Sequence, residues 1–295
     1  MADSPTMRTS DPTPSRGASR LAAIAALAAA ALCGGCNVLP RNANPEADSV
    51  FELFTPPSPA EAASWAADPF DADKRQRGVL LLANAPFGGE RPYVQLYEMR
   101  LQDEDPAVRL VATRALALHG TSESVPSVIE GLSDSNVGVR RESARALQRL
   151  HNPVAVEPLI EAMDYTRESD PDTRANAARA LGQYAEPRVV QALIGALADR
   201  RLAVNRNALE SLRVLTGEDF GLISRQWLAW TGQSRDLFAG RGDYEYPVFR
   251  RDQTIVEFLL PWWDAPNETP GAPAGMIVVT PREIEEDLGA EQEGS

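Results

Sequence analysis

Few residues of this chain are suited to chemistry. Among 295 residues there are two histidines, His119 and His151, and two cysteines, Cys33 and Cys36. The histidines occupy equivalent places, His119 after Leu118 and His151 after Leu150, and no carboxylate or cysteine cluster gathers around either. A zinc site or a nucleophile–base pair needs such company. The expected role of both is therefore a turn residue capping helix carbonyls. Cys33-Gly34-Gly35-Cys36 has the C-x-x-C spacing of a redox dithiol, but it directly follows an apolar run that gives it a different meaning. No catalytic residue, metal ligand or cofactor site is expected.

The arginines are better placed for chemistry. Arg109, Arg140 and Arg174 recur at one register position, and Arg114, Arg145 and Arg179 at another. Asp105, Asp134, Asp170 and Asp172 lie in the turns before them. Guanidinium forks aligned this way suit either an anion-binding face or a ladder of bidentate pairs that ties successive units together. Each arginine has an acid at matching spacing, so both columns are assigned to a structural ladder.

Those positions rest on a repeated pair of helices. The first helices read Val108-Arg109-Leu110-Val111-Ala112-Thr113-Arg114-Ala115-Leu116 and the segments starting at Val139, Thr173 and Val204, spaced by 31, 34 and 31 residues. The second helices carry apolar stripes at i, i+3, i+4, i+7: Val125, Val128, Ile129 and Leu132; Val156, Leu159, Ile160 and Met163; Val190, Leu193, Ile194 and Leu197. Two helices agreeing on one period predict a stacked solenoid. The V-R-x-x-A-x-x-A-L pattern of the first helices resembles the HEAT-repeat family in its short bacterial form, over residues 71–231. The resemblance implies an all-α, right-handed α-solenoid of about five HEAT-like helix pairs with irregular N- and C-terminal tails. It also implies an arginine ladder between repeats and second helices that line the concave side.

The ends of the array are degraded, as terminal repeats are. Lys74 to Leu82 aligns with a first helix, followed by Val94, Tyr97 and Leu101 on a second. At the other end Leu215-Thr216-Gly217-Glu218-Asp219-Phe220-Gly221 leads into Trp227-Leu228-Ala229-Trp230, resembling the closing unit of HEAT proteins that carry an LTG-x-DFG turn before a Trp-x-x-Trp helix.

The net charge of −13 sits mainly in the tails. Residues 71–231 hold 20 basic and 22 acidic residues, a net of −2, whereas residues 232–295 hold 5 and 13, a net of −8. With Lys74 the only lysine and no basic stripe standing out in sequence, nucleic-acid binding is not expected.

Residues 21–32 form an unbroken apolar run preceded by Arg16 and Arg20. Twelve residues fall short of the roughly 20 that span a bilayer, and the pattern reads as an export signal. Gly34-Gly35-Cys36 looks like a lipobox with Cys36 as the lipid-attachment residue, although Cys33 replaces the usual Leu. An uncleaved anchor, a released protein and a non-exported one are the alternatives.

The organisation expected is a signal peptide at 1–35, a Pro/Ala-rich tether at 36–70, the solenoid at 71–231, an aromatic cap at 232–266 and a disordered acidic tail at 267–295. Trp65 and Phe70 are expected to cover the first repeat. The outward face of the second helices (Pro126, Ser127, Glu130, Gly131; Glu157, Pro158, Glu161, Ala162; Gln191, Ala192, Gly195, Ala196) is small and mildly acidic. Glu130, Glu157, Glu161 and Gln191, with Trp262 and Trp263 of the aromatic segment, are the partner-binding candidates. The resulting expectation is a non-enzymatic protein-binding scaffold, a periplasm-facing lipoprotein of the bacterial cell envelope. Its partners are unidentified proteins and, through the lipid, the membrane, with no nucleic acid or small-molecule substrate. A purely structural spacer and a bilin lyase or lyase accessory, which some short HEAT proteins resemble, are the rivals.

Overall fold

The computed structural model describes residues 57–248 and 270–276. The lipobox with Cys36, the segment holding Trp262 and Trp263, and the acidic tail beyond Met276 lie outside the described residues.

Eleven α-helices and no strand occur among the described residues. A leading helix, α1 (Pro59–Ala66), precedes five pairs: α2 (Ala72–Ala83) with α3 (Arg91–Arg100), α4 (Pro106–His119) with α5 (Val125–Glu130), α6 (Val137–Ala146) with α7 (Val156–Met163), α8 (Pro171–Ala180) with α9 (Pro187–Ala196), and α10 (Leu202–Thr216) with α11 (Ser224–Thr231). The fold is the all-α solenoid expected from the period. First helices stack on first helices, and α4, α6, α8 and α10 each also pack on the second helix of the preceding pair.

Local sequence sets the starts. Asp71, Asp105, Asn136 and Asp170 cap the first four first-helices, each accepting a backbone N–H from the first turn. Pro106 and Pro171 take the opening helical position, where a missing N–H costs nothing. The stops are equally local. Gly217 ends α10 in the left-handed region at φ 73°. A side chain there would also collide with the Gly240 carbonyl.

The second-helix stripes form the core: Val125, Val128, Leu132, Val156, Leu159, Met163, Val190, Leu193 and Leu197 are buried, with Ile129 and Ile160 half-buried. From the first helices come Val108, Leu116, Leu147, Leu181 and Leu212, all fully enclosed. At the C-terminal end Trp227 is fully buried, donates to the Gly221 carbonyl at 2.9 Å, and meets Phe220 and Trp230 edge-on. The turn and the Trp-x-x-Trp helix thus close on each other.

Two expectations at the N-terminal end need correction. The stretch read as tether contains α1, which packs on α2; Gly78 permits an approach so close that an added Cβ would strike the Ala66 backbone nitrogen. Trp65 is buried there under Arg77, but Phe70 is 94% exposed and covers nothing.

Candidate functional site

The solenoid has two edges and two faces, each with its own chemistry. The edge formed by the turns between repeats carries the ladder. Arg75, Arg109, Arg140 and Arg174 each fork onto one carboxylate: Asp103 (2.7 and 2.8 Å), Asp134 (2.6 and 2.8 Å), Glu168 (2.7 and 3.1 Å) and Asp199 (2.9 and 3.2 Å). The third nitrogen of each guanidinium donates to a carbonyl of the turn before its own helix, Asp68, Asp103, Asp134 and Glu168 in order. Asp103, Asp134 and Glu168 therefore take one arginine on the side chain and the next repeat's arginine on the backbone.

Burial alone would raise the Asp103, Asp134 and Asp199 carboxyls. The paired guanidiniums and a backbone N–H on each outweigh it and hold them below the ordinary carboxylate value.

The ladder corrects the sequence reading in two ways. Of the acids assigned to it, only Asp134 is a rung. Asp105 caps α4, and Asp170 caps α8 while receiving Arg141, which also reaches Asp172. The second column is no ladder. Arg114 forks onto Glu142 at 3.1 and 3.2 Å, but neither Arg145 nor Arg179 has an ion pair among the described residues.

The opposite edge, formed by the turns within repeats, carries a strap. Beyond α11 the chain runs back across the array. Gly242 donates to the Val214 carbonyl at 2.8 Å, Arg241 to the Gln183 carbonyl at 3.2 Å, and Ala274 to the Arg149 carbonyl at 2.7 Å; His151 N–H donates to Ala274 at 2.8 Å. Tyr244 is 6% exposed beneath it, its hydroxyl without a hydrogen-bond partner among the described residues, and burial raises its pKa. Residues 232–248 and 270–276 thus lie along the array, so 270–276, expected to open a disordered tail, are instead hydrogen-bonded to it.

Both histidines belong to this edge. His119 Nε2 lies 2.7 Å from the Ala83 carbonyl that ends α2, so it caps the preceding repeat's helix. His151 departs from the expected cap. Its Nδ1 faces Gln183 Oε1 at 3.1 Å and its ring stacks on Tyr184 at 4.9 Å. Burial lowers its pKa, with a smaller opposing effect from Gln183.

The face made by the second helices holds open grooves. One of about 420 Å³ lies between α3 and α5 and one of about 940 Å³ between α5 and α7. A third, of about 290 Å³, lies between α7 and α9, lined by Ile160, Met163, Tyr165, Ala192 and Gly195. Glu130, Glu157, Glu161 and Gln191 are exposed on this face. Glu130 accepts from Gln102 at 2.6 Å, Glu157 pairs with Arg188 at 3.3 Å, and Glu161 with Arg167 at 2.7 Å. Two residues expected to point outward do not. A Cβ on Gly131 would collide with Ser143 Oγ, and Ala162 is 8% exposed. Tyr165, 70% exposed at the rim, was missed; it stands just past the last periodic position of its helix, where the stripe gives no signal.

No curated protein matches the chain. Similar solved structures include YibA of E. coli, at 20% identity and TM-score 0.43, covering 53% of this chain and 59% of YibA's length. A designed armadillo repeat protein in complex with the peptide (KR)4 is 15% identical with TM-score 0.43, covering 59% and 87%. The CpcE–CpcF complex of phycocyanin lyase from Nostoc sp. is 18% identical with TM-score 0.42, covering 52% and 99%. The family model described as HEAT repeats matches residues 94–169 and 161–220, the middle of this solenoid.

Proposed function

We propose that the protein is a non-enzymatic protein-binding scaffold, held at the periplasmic side of the bacterial cell envelope by a lipid on Cys36, with the second-helix face as its partner surface. The observation that carries this reading is the row of grooves between α3, α5, α7 and α9. The framework behind them is fixed by buried forks, while the groove rims carry exposed, weakly paired charges. Pairs such as Glu157–Arg188 contribute only about 0–1 kcal/mol to the fold, so a partner can replace them at little cost. At an interface the same charges govern association rate and partner choice. The small side chains of Ala192 and Gly195 admit a partner backbone; nothing lies within 4 Å of where a Gly195 Cβ would be. The basic start, short apolar run and Gly34-Gly35-Cys36 sequence support the address.

The test has two arms. Glu130→Arg with Glu161→Arg should leave the thermal melt near wild type and deplete specific proteins from an envelope pull-down; an unchanged set of partners would move the partner surface off this face. Stable anchoring needs two or more acyl chains. Cys36→Ala should therefore release the protein from membranes or block its maturation, whereas Cys33→Ala should not. Equal membrane retention of both variants would remove Cys36 as the anchor.

A further inference from the structure

The lining of the groove of about 420 Å³ between α3 and α5 includes Ser143, which is fully buried and whose hydroxyl has no hydrogen-bond partner among the described residues. A hydroxyl in mid-helix usually turns to the carbonyl four residues back, as Thr113 on α4 does to Arg109 at 2.9 Å. Ser143 on α6 does not. Its Oγ lies against Gly131, where a Cβ would collide with it. Gly131 lines the same groove, so the missing side chain opens the way to the hydroxyl. A buried polar atom left unpaired in the wall of a groove marks a place for a partner group.

Most of the charge in this groove is already spent. Asp103 is held by Arg75 and Arg100, and Asp134 by Arg109 and the Asn136 N–H. Arg109 also donates to the Asp103 and Glu104 carbonyls. What remains around Gly131 can accept. The exposed Glu130 carboxylate is held only at Oε2, by Gln102 at 2.6 Å, among the described residues. Ser127 lies four residues before Gly131, on the same side of the helix end, and Ser143 lies against it. Leu101, Val128 and Val139 supply apolar walls. A slender apolar stem that ends in N–H donors matches this lining.

We propose that this groove is a subsite for a lysine side chain of the protein partner. Glu130 Oε1 and the hydroxyls of Ser127 and Ser143 receive its ammonium, and the apolar walls cover its methylenes. The proposal rests on the second-helix face being the partner surface and names the chemistry that this surface selects. An ammonium suits the groove better than a guanidinium. A guanidinium fork takes both oxygens of one carboxylate, and Gln102 already holds one of the two on Glu130. An ammonium is a compact charge with three rotatable donors, which separate acceptors on α5 and α6 can share.

The test titrates the isotope-labelled full chain with Nα-acetyl-lysine methylamide and follows the amide resonances of Glu130, Gly131 and Ser143 by NMR. These should shift saturably. The arginine counterpart should bind more weakly, and the norleucine counterpart, which keeps the stem without the charge, should not bind. Glu130→Gln and Ser143→Ala should each weaken lysine binding about tenfold or more, because each removes a hydrogen bond to a charged group. Ser143→Ala deletes a hydroxyl that has no partner in the free protein, so its thermal melt should stay at or above wild type. Absence of shifts at those amides, equal binding of the arginine or norleucine compound, or unchanged affinity in Ser143→Ala overturns the proposal. If the lysine compound fails to bind while Glu130→Arg with Glu161→Arg still depletes partners from the pull-down, the partner surface stands and the lysine subsite falls. If the compound binds but the pull-down is unchanged, the groove takes a free amine rather than a partner's lysine, and the proposal fails together with the reading it rests on.

Discussion

Asp199→Ala leaves the Arg174 guanidinium in place without its counter-charge. Arg174 is 6% exposed, and its Nε and Nη2 donate to Asp199 at 2.9 and 3.2 Å. Its Nη1 keeps the Glu168 and Ser169 carbonyls at 2.8 and 3.1 Å, so the side chain cannot swing into water without breaking those bonds too. Removing one partner of a buried pair costs about 3–5 kcal/mol, most of it the stranded charge. In a domain of this size each kcal/mol moves Tm by about 2–4 °C, so a fall of at least about 6–12 °C is expected by circular dichroism. Glu157→Ala, which breaks the exposed pair with Arg188, is the control and should shift Tm by no more than about 2–4 °C. Adding Arg174→Leu to Asp199→Ala should restore much of the loss, because the stranded charge goes with it. The pH dependence has a definite sign. Asp199, Asp134 and Asp103 have folded pKa values below the ordinary 3.8. Their stabilisation is complete above that value and is lost as pH falls through the folded ones, so wild type should lose Tm below about pH 4. Asp199→Ala should lose less there, having one rung fewer to protonate. Equal Tm shifts for Asp199→Ala and Glu157→Ala, or identical acid profiles for Asp199→Ala and wild type, would refute the ladder as a source of stability.

Two further outcomes follow from the core and the strap. Leu147 is fully enclosed and its carbonyl receives Gln183 Nε2 at 2.6 Å from the next repeat, so Leu147→Asp should cost several kcal/mol and abolish cooperative melting, read by circular dichroism. Tyr244→Phe removes a hydroxyl that has no partner among the described residues and should leave Tm unchanged or slightly raised, whereas Tyr244→Ala should cost about 3–5 kcal/mol by opening a cavity under the strap.

The repeat period, the identity of first and second helices and the closing Trp helix were legible in the sequence. They rest on helical spacing within about ten residues, on Asp-Pro and Asn starts, and on a glycine stop, all of which act locally. The rung partners were not read correctly, yet a signal existed. The acid always lies six residues before the next arginine position: Asp103 before Arg109, Asp134 before Arg140, Glu168 before Arg174. The pairing separation is 28 residues for Arg75 and Arg140 but 25 for Arg109 and Arg174, because the rung acid moves with the length of the repeat. Sequence alone offered several carboxylates per turn; caps claimed Asp105 and Asp170 because their side chains face their own helix N-termini.

Other features needed the folded chain. Arg241 reaches Gln183 across 58 residues, and nothing in the spacing of Tyr244 and Tyr246 says that their segment doubles back along the turns. The same applies to α1, whose place on α2 depends on a close approach at Gly78, and to the separation of the two arginine columns. At one register position the guanidinium points into the turn of the next repeat, where a carboxylate and a carbonyl await it. Five residues later on the same helix Arg114 and Arg145 are exposed, while Arg179 is half-buried. Helical periodicity puts both columns on the same set of helices, but only the stacking of neighbouring helices decides which column is buried and which meets solvent.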